Sequence, residues 1–344
     1  MSLQTGIISY GCALPSYKLD TKEIAKALNN ESLVNTLGIN YRSVCDDNED
    51  SLTLATAASL EALEKISLST QQIKAVFTGS ETHPFAVNPT SSYISSFLNL
   101  NPECFAADLQ FACKAGTAAS QITSAFIAAG QIEFGLAIGS DKGEGAPGDA
   151  LGYTAGSGAA ALIWGSANQT AAPLIAKLIS TKSYTFNHPD FWRSQDSKFP
   201  EHAGRFSGFA YNSVLTEAIQ TTLKSLSLDP KKIDHLALHA PNAKLPIRLA
   251  NDLGFSEKGI QHSLLVKEIG NTYAANSLIS LCNVLANAKP NELILVASYG
   301  SGSGSDIMLL ETTNNIADFN HGTSLPEKIA KLTTIPYSKY LLSK

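Results

Sequence analysis

The chain has 344 residues, of which 44% are hydrophobic and 16% are charged, and its formal net charge is -5. This composition excludes a disordered chain, and the acidic balance excludes a general nucleic-acid-binding protein, because phosphate contacts need a basic face. No apolar run reaches the ~18 residues of a membrane span, and Met1 to Tyr10 lacks the basic region of a signal peptide. We therefore expect a cytoplasmic protein that contacts neither membranes nor nucleic acid, and the low charged fraction predicts a large subunit interface.

Short apolar runs alternate with helical segments along the chain. In order, the first part predicts a strand at Gly6–Tyr10, helices at Asp20–Leu28 and Leu52–Leu63, a strand at Ala75–Gly79, a helix at Asn88–Leu98, a strand at Ala106–Leu109, a helix at Thr117–Ala129, and strands at Leu136–Ser140 and Ala159–Trp164. The pattern then begins again with a strand at Ile175–Thr181, an irregular stretch at Tyr184–Phe209, a helix at Tyr211–Leu226, a strand at His235–His239, a helix at Leu245–Asp252, a strand at Leu264–Val266, a helix at Asn276–Leu285, strands at Leu293–Ser298 and Ile307–Glu311, and a tail without a clear period at Asn314–Lys344. This alternation predicts an α/β fold around a central sheet.

Two successive intervals between polar residues, of 32 and 27 positions, occur in both parts of the chain. The matched positions are Glu81, Cys113 and Ser140 in the first part and His239, Asn271 and Ser298 in the second. The shared spacing and element order favour a duplicated unit with halves at 1–165 and 166–344. A pseudo-twofold axis would bring the loops at the carboxyl ends of their strands together, where ligands bind in α/β sheets.

The five cysteines are scattered and include no Cys-x-x-Cys pair, so no metal site is expected. Cys113 differs from the others because a predicted strand leads into it and a helix of small residues follows. A nucleophile fits this position, since the dipole at a helix N-terminus favours a thiolate. A buried structural thiol is the alternative.

The three other matched positions also carry side chains suited to chemistry. His239 is able to polarise a carbonyl group or move protons near neutral pH, although a hydrogen-bonded core histidine is the alternative. Glu81 would take and return protons in an apolar cleft, but it would have no such role in a solvated loop. Asn271 either caps a helix or donates its amide hydrogens to a carbonyl group or a water. The remaining histidines, His83 among them, are expected to be structural.

Four basic residues are candidates for the edge of the same cleft: Lys114, Arg205, Lys244 and Arg248. Lys244 and Arg248 are four positions apart near a predicted helix start, so they share a helix face. Together these cations could hold the phosphates of a carrier such as coenzyme A, and solvated surface charge is the alternative.

Several segments make the chain similar to a known family. They are Gly79–Val87, Phe111–Thr117, Ala146–Ala155, Pro189–Arg193, Gly204–Gly208, Gly270–Tyr273 and Tyr299–Asp306. Together they resemble thiolase-fold condensing enzymes, most closely the short, archaeal-type 3-hydroxy-3-methylglutaryl-CoA (HMG-CoA) synthases. The resemblance extends over the whole chain and implies a thiolase-like fold with two pseudo-equivalent halves in α-β-α-β-α layers.

The resemblance also implies a reaction of the mevalonate and isoprenoid pathway. Cys113 would be acetylated by acetyl-CoA, with a backbone oxyanion hole beside it, and Glu81 would remove a proton from the acetyl methyl group. The carbanion would attack the ketone of acetoacetyl-CoA, His239 would polarise that ketone and protonate the alkoxide, and water would release the product. The implied substrate-binding residues are Asn271, Thr154, Ser207 and Ser301, and the implied coenzyme A contacts are Arg205, Lys244 and Arg248.

By the same resemblance, the protein uses coenzyme A thioesters as substrates without a tightly bound cofactor. It would form a homodimer or a dimer of dimers and would associate with a thiolase and a small zinc-containing scaffold protein. The chain departs from the family pattern in a short segment at Ala27–Leu33, at Ser207, where threonine is usual, and at His188. The acceptor substrate therefore stays open.

Two alternatives remain on sequence grounds. A ketoacyl synthase III-like enzyme of fatty-acid or polyketide synthesis would use Cys113, His239 and Asn271 in the same places. Glu81 discriminates against it, because decarboxylation creates a carbanion without a base. The second alternative is a non-catalytic subunit of an acyltransferase complex, and the intact set of polar residues argues against it.

Overall fold

The apolar runs of the sequence form a nine-stranded mixed sheet in the computed structural model, which describes residues 3–168, 172–302 and 304–342. Two small sheets lie outside it, with the orders β14-β2-β3 and β10-β9 when strands are numbered along the chain. The strands are β1 (Thr5–Ala13), β2 (Tyr17–Asp20), β3 (Tyr41–Val44), β4 (Ile73–Gly79), β5 (Phe105–Leu109), β6 (Phe134–Lys142), β7 (Ser157–Ser166), β8 (Ala176–Thr185), β9 (Phe191–Trp192), β10 (Glu201–His202), β11 (His235–Leu238), β12 (Leu293–Gly300), β13 (Gly304–Thr312) and β14 (Thr333–Thr334).

Helices cover the sheet, and short 3-10 turns join several of them. The α-helices are α1 (Thr21–Ala27), α2 (Glu31–Leu37), α3 (Ser51–Glu64), α4 (Thr90–Phe97), α5 (Ala115–Ala128), α6 (Leu151–Thr154), α7 (Arg205–Ser225), α8 (Lys244–Asp252), α9 (Val266–Ile269), α10 (Asn276–Leu285), α11 (Leu325–Lys331) and α12 (Tyr337–Leu342). The 3-10 turns are Thr70–Gln72, Pro230–Lys232, Glu257–Ser263, Tyr273–Ala275 and Asn314–Asp318. Within the described residues, no helix combines the length and apolar character of a membrane span.

The order of the large sheet repeats outward from its centre. It runs β11-β12-β13-β8-β1-β7-β6-β4-β5. From the central pair, β1-β7-β6-β4 and β8-β13-β12-β11 have the same succession of antiparallel, antiparallel and parallel neighbours. β1 and β8 meet through only two residue pairs, Gly6 with Lys177 and Ile7 with Ala176. β5 forms one edge of the sheet, and β11 forms the other.

Helices on both faces of the sheet give the molecule its layers. α3 packs against β1, β7 and β6, while α7 packs against β13, β12 and β8. Between the two halves of the sheet, α5 and α10 contact each other as well as strands. All ten residues of α10 are buried, as is typical of a helix that has protein on every side. The expected α-β-α-β-α arrangement is confirmed.

The small residues of α5 allow its backbone to approach the second half of the chain. A Cβ atom added to Gly116 would lie 2.5 Å from the carbonyl oxygen of Ala274 and 3.0 Å from the Cα atom of Gly139. Any larger residue at this position would therefore push the central helix away from both elements. This close approach brings the start of α5 next to the segment that precedes α10.

Several regions differ from the sequence-based expectations. No element was predicted for β2, α2 or β3, and α7 begins at residue 205, inside the stretch expected to be irregular. The predicted strand at Leu264–Val266 is wrong, because this short apolar run separates the 3-10 turn Glu257–Ser263 from α9. The tail contains α11 and α12 although it has no clear period. A capping box marks the start of α11, where the Ser324 side chain accepts from the Glu327 backbone and Glu327 accepts from Ser324. That local signal could have identified the helix.

Candidate active site

A cavity of about 630 Å³ lies at the carboxyl ends of β4 and β6. Its wall includes Ser80 to Pro84 after β4, Lys142 to Glu144 at the end of β6, and Phe191 to Arg193 from an irregular segment. Tyr273 and Ser301, from the second half of the chain, also line the cavity. Loops from both halves therefore enclose one space, as ligand sites in α/β sheets require.

Cys113 stands between β5 and α5, directly after a residue with unusual backbone geometry. Ala112 lines the cavity and has a φ of 47°, in the left-handed region that most residues avoid. Cys113 itself is 3% exposed and packs with Ala155, Tyr273 and Phe191. The turn thus holds the sulfur inside the protein at the entrance to a helix.

Burial raises the pKa of the Cys113 thiol well above its usual value, and the neighbouring Glu81 carboxylate raises it further. This direction is opposite to the thiolate that a helix N-terminus favours. Desolvation and a nearby negative charge both oppose loss of the proton, and they outweigh the helix dipole. In the unliganded protein, Cys113 is therefore a thiol that needs a base before it can attack.

Glu81 is in position to be that base, because its carboxyl group lies close enough to the Cys113 thiol for each group to shift the pKa of the other. Burial, followed by the charge of Asp141, raises the pKa of Glu81 to about 8. The Oε1 atom of Glu81 is buried, and no described residue forms a hydrogen bond with it. A carboxyl group with this pKa changes protonation state close to neutral pH, as acid–base catalysis requires.

Asp141 fixes the loop that carries Glu81. Its carboxylate accepts 2.8 Å hydrogen bonds from the hydroxyl groups of Ser80 and Thr82 and from the backbone N–H groups of Glu81 and Ala274. Burial nevertheless leaves the pKa of Asp141 raised. Because Asp141 has four donors, we assign the negative charge of this pair to Asp141 and the proton to Glu81 near neutral pH.

His239 follows β11, is 1% exposed and lies beside a pair of tyrosine rings that also contact each other. Its ring centroid is 6.5 Å from that of Tyr211 and 6.4 Å from that of Tyr299. Burial lowers the pKa of His239 to about 3, so the imidazole is neutral, and its Nδ1 atom has no partner within the described part of the chain. Tyr299 donates a 3.0 Å hydrogen bond to Asp190, and both residues interact electrostatically with Cys113. His239 is thus linked to Cys113 indirectly, through Tyr299, which interacts with both residues.

Asn271 lies in a turn rather than at a helix start, since α10 begins at Asn276. Its side-chain oxygen accepts a 3.0 Å hydrogen bond from the Tyr273 backbone, and its own N–H donates to the Thr154 carbonyl at 2.6 Å. Tyr273 has a φ of 50° and, like Cys113, belongs to the small apolar cluster at the cavity. Asn271 is thus not the N-cap of α10, but its side chain accepts from the first residue of the 3-10 turn Tyr273–Ala275, which leads into α10, in the manner of a cap.

The other two predicted substrate contacts differ in position. Ser301 lines the cavity. Ser207 lies in the first turn of α7, and its hydroxyl donates a 3.0 Å hydrogen bond to the Asp190 carbonyl. Ser207 thus restrains the segment that contains the Asp190 side chain, while Ser301 faces the space directly.

The sequence suggested that Lys114 is a cation at the edge of the cleft, but the structure shows that it is not. It is 3% exposed, and its ammonium group lies 2.7 Å from Asp306 and 3.0 Å from the hydroxyl of Ser183. Thr117, one turn into the same helix, also donates to Asp306. The residue next to the nucleophile therefore joins the two halves of the chain by a buried ion pair.

Two of the predicted coenzyme A contacts, Lys244 and Arg248, are not among the described residues that line the cavity. Lys244 and Arg248 are exposed on α8, and Arg248 lies 3.5 Å from Asp252. The side chain of Arg205 lies outside the described part of the structure. The cations that do line the cavity are Lys142, Arg193 and Lys198. Of these, the sequence offered a signal only for Arg193, which ends the family-like segment Pro189–Arg193. Across the described residues, no three His, Cys, Asp or Glu side chains are grouped to hold a metal ion.

Known proteins are similar to this chain in sequence and in fold. Residues 223–312 match the model of the C-terminal region of 3-oxoacyl-[acyl-carrier-protein] synthase III. The hydroxymethylglutaryl-CoA synthase of Archaeoglobus fulgidus is 40% identical, covering 98% of this chain and 97% of that protein. That of Methanopyrus kandleri is 37% identical, covering 100% and 98%.

Solved structures share the fold. A crystal structure of an HMG-CoA synthase complexed with CoA is 21% identical, covers 98% of this chain and 89% of its own, and has a TM-score of 0.88. The 3-oxoacyl-(acyl carrier protein) synthase III of Pseudomonas aeruginosa is 19% identical, with 90% and 98% coverage and a TM-score of 0.81. From the archaeal relatives, which match almost end to end, the chain belongs to the hydroxymethylglutaryl-CoA synthase family.

Proposed function

We propose that the protein condenses acetyl-CoA with acetoacetyl-CoA through an acetyl-Cys113 intermediate and then hydrolyses the thioester. The observation that carries this proposal is the proximity of the Cys113 thiol to the Glu81 carboxyl group, whose pKa is raised to about 8 beside a cavity. A nucleophile and a base in contact are what acyl transfer followed by proton abstraction needs. The names of the archaeal relatives support the same reaction.

In the first step, Glu81 takes the thiol proton as the Cys113 sulfur attacks the carbonyl carbon of acetyl-CoA. The tetrahedral oxyanion forms beside the backbone amides at Cys113, and the proton leaves with the thiolate of coenzyme A. The raised pKa of Cys113 makes this assistance necessary, because little free thiolate is available. Glu81 is again a carboxylate when the acetyl group is in place.

In the second step, Glu81 removes a proton from the acetyl methyl group, and the carbanion attacks the ketone carbon of the acceptor. Neutral His239 would donate a hydrogen bond to the ketone oxygen, because its pKa of about 3 leaves it without an extra proton. The alkoxide proton then comes from Glu81, which has just received one. His239 would thus polarise the ketone without protonating the alkoxide, whereas the resemblance implies both tasks.

Substrate contacts are proposed from proximity and from the resemblance together. Asn271, Thr154 and Ser301 would surround the acyl group, and Ser207 would act through the segment it restrains. Lys244 and Arg248, together with Arg205, remain predicted contacts of coenzyme A. The cavity cations Lys142, Arg193 and Lys198 add a second basic group for the same phosphates or for the carboxylate product.

We also propose that residues 1–165 and 166–344 are the two halves of the fold and that the protein is a homodimer. Strand β5 is an edge of the large sheet, and edges invite pairing with another chain. The aromatic residues Phe85, Phe97 and Phe105 near this edge are 48%, 63% and 54% exposed. An exposed strand with nearby aromatic side chains favours an interface between two copies. A dimer of dimers, a complex with a thiolase and a zinc-containing scaffold protein, and a cytoplasmic location stay predictions.

Mass spectrometry tests the reaction directly. We expect acetyl-CoA alone to acetylate wild-type protein at Cys113, and acetoacetyl-CoA to remove the label with formation of HMG-CoA. Cys113→Ala should not be labelled, and Glu81→Ala should form no condensation product. A Glu81→Ala protein with full condensing activity would instead favour the decarboxylating, ketoacyl synthase III-like alternative. A wild-type protein that is never acetylated would support a non-catalytic subunit.

A further inference from the structure

His83 lies in the wall of the cavity, two positions after Glu81, and has an unusual set of contacts. Its Nδ1 atom is 2.8 Å from the hydroxyl of Thr90 and 3.3 Å from Oδ2 of Asp108. Its Nε2 atom is buried and has no hydrogen-bond partner among the residues that the structure describes. Nδ1 of the imidazole is thus held by the protein, while Nε2 is left to bind a molecule from the cavity.

Asp108 is itself fixed at the start of α4. It accepts hydrogen bonds from the backbone N–H groups of Thr90 and Ser91, at 2.6 and 2.9 Å, and from the Ser91 hydroxyl at 2.7 Å. These donors stabilise the charged carboxylate at a helix N-terminus. A carboxylate beside Nδ1 favours the tautomer with its proton on Nδ1, so Nε2 of His83 is the proton acceptor.

Two buried polar atoms without partners therefore occur two positions apart on one wall: Oε1 of Glu81 and Nε2 of His83. The residue between them, Thr82, turns its hydroxyl to Asp141 at 2.8 Å and to the Lys142 backbone at 2.9 Å. Buried polar atoms normally find a partner in the protein or in water. Both atoms are almost inaccessible to solvent in this structure, so a water must be admitted from the cavity before it can join them by hydrogen bonds.

The proposed reaction needs an outlet for a proton at this place. Acetyl-CoA, acetoacetyl-CoA and water give HMG-CoA, with its new carboxylate, together with coenzyme A as the thiol and one proton. In the hydrolysis step, Glu81 takes a proton from the attacking water, the C–S bond breaks, and the Cys113 sulfur ends as a thiol. Glu81 then still carries the surplus proton and must lose it before the next turnover.

We propose that the His83–Asp108 pair relays this proton from Glu81 to the solvent. The Glu81 O–H bond breaks, a water passes the proton to Nε2 of His83, and the imidazolium formed is stabilised by Asp108. Solvent or a buffer base then takes the proton, so that Glu81 and His83 both return to their starting states. This inference rests on the proposed function and adds a second acid–base residue to it.

Exchange of the acetyl methyl protons with D2O tests the relay, because a proton taken by Glu81 must leave before deuterium can return. We would measure deuterium incorporation into acetyl-CoA by mass spectrometry without acceptor, together with Cys113 acetylation and steady-state kinetics. The variants are His83→Asn, which keeps a donor towards Thr90 and Asp108, and His83→Ala with added imidazole. His262→Asn, outside the cavity, is the matched control.

The relay predicts that His83→Asn keeps full acetylation of Cys113 but exchanges deuterium about 100-fold more slowly. Its kcat should fall to a similar extent with unchanged KM, and imidazole should restore His83→Ala. Exchange within about twofold of wild type, a raised KM with unchanged kcat, or loss of acetylation in both variants would each overturn the relay. A wild-type protein that is not acetylated at all would instead remove the proposed function, and the relay with it.

Discussion

The rate of carbon–carbon bond formation should follow the ionisation of Glu81. With a pKa of about 8, only about one tenth of Glu81 is a carboxylate at pH 7 and about one hundredth at pH 6. Because the ionised form is the base, the rate should rise about tenfold per pH unit and level off above about pH 8. Asp141 contributes to the raised pKa, so Asp141→Asn should move the inflection towards acid. A shift of one unit, to a pKa of about 7, would raise the ionised fraction at pH 7 about fivefold.

The assay for this prediction is a single-turnover measurement on preformed acetyl-enzyme mixed with excess acceptor, from about pH 6 to about pH 9. Deuterated acetyl-CoA should slow the same phase, which identifies proton abstraction as the observed step. Asp252→Asn, a surface change of the same kind, should leave the profile unchanged. A wild-type inflection at the ordinary glutamate value, or a shift towards alkaline pH in Asp141→Asn, would refute this account of the base.

Three further expectations concern stability and the imidazole. Glu81 has a raised folded-state pKa, so wild-type stability should fall relative to Glu81→Gln as pH rises from 4.5, the ordinary pKa of a glutamate, to about 8. The fall should be about 1.4 kcal/mol per pH unit, and urea titrations at several pH values would measure it. Asp306→Asn leaves the buried ammonium group of Lys114 without its counter-charge and should cost about 3–5 kcal/mol in urea unfolding, whereas loss of the exposed Arg248–Asp252 pair through Arg248→Ala should cost under about 1 kcal/mol; equal effects would contradict the burial argument. His239→Asn should lower condensation by about 100-fold without moving the inflection near pH 8, and a lost inflection in its pH profile would instead make His239 the titrating group.

Local patterns in the sequence were enough to predict most of the fold. Strand and helix positions follow from apolar runs and small-residue segments, and the helix at Asn276–Leu285 has the predicted bounds. The repeated spacing placed Glu81 and Cys113 on neighbouring loops, and their side chains are in contact. Such features depend on residues close in the chain or on a repeat that the sequence itself displays.

Partners that are distant in the chain could not be predicted in the same way. Lys114 looked like a ligand cation because nothing near it in sequence is acidic, yet Asp306 neutralises it from the other half. His83 looked structural, because its Nδ1 contact with Asp108 and its unpartnered Nε2 appear only when β4 and β5 pair. The cavity cation Lys198 lies in an irregular segment without any periodic signal. In each case the decisive neighbour is set by tertiary packing.

The buried ion pair between Lys114 and Asp306 has a consequence for how this enzyme could be engineered. The lysine adjoins the nucleophile, and its carboxylate partner stands 192 positions further along the chain. Since Thr117 binds the same carboxylate, the first turn of α5 is anchored twice to strand β13. The reactivity of the Cys113 sulfur therefore depends partly on residues that do not contact it. Libraries directed at β13 and its neighbour β8 should yield altered acylation rates with every cavity side chain left as it is.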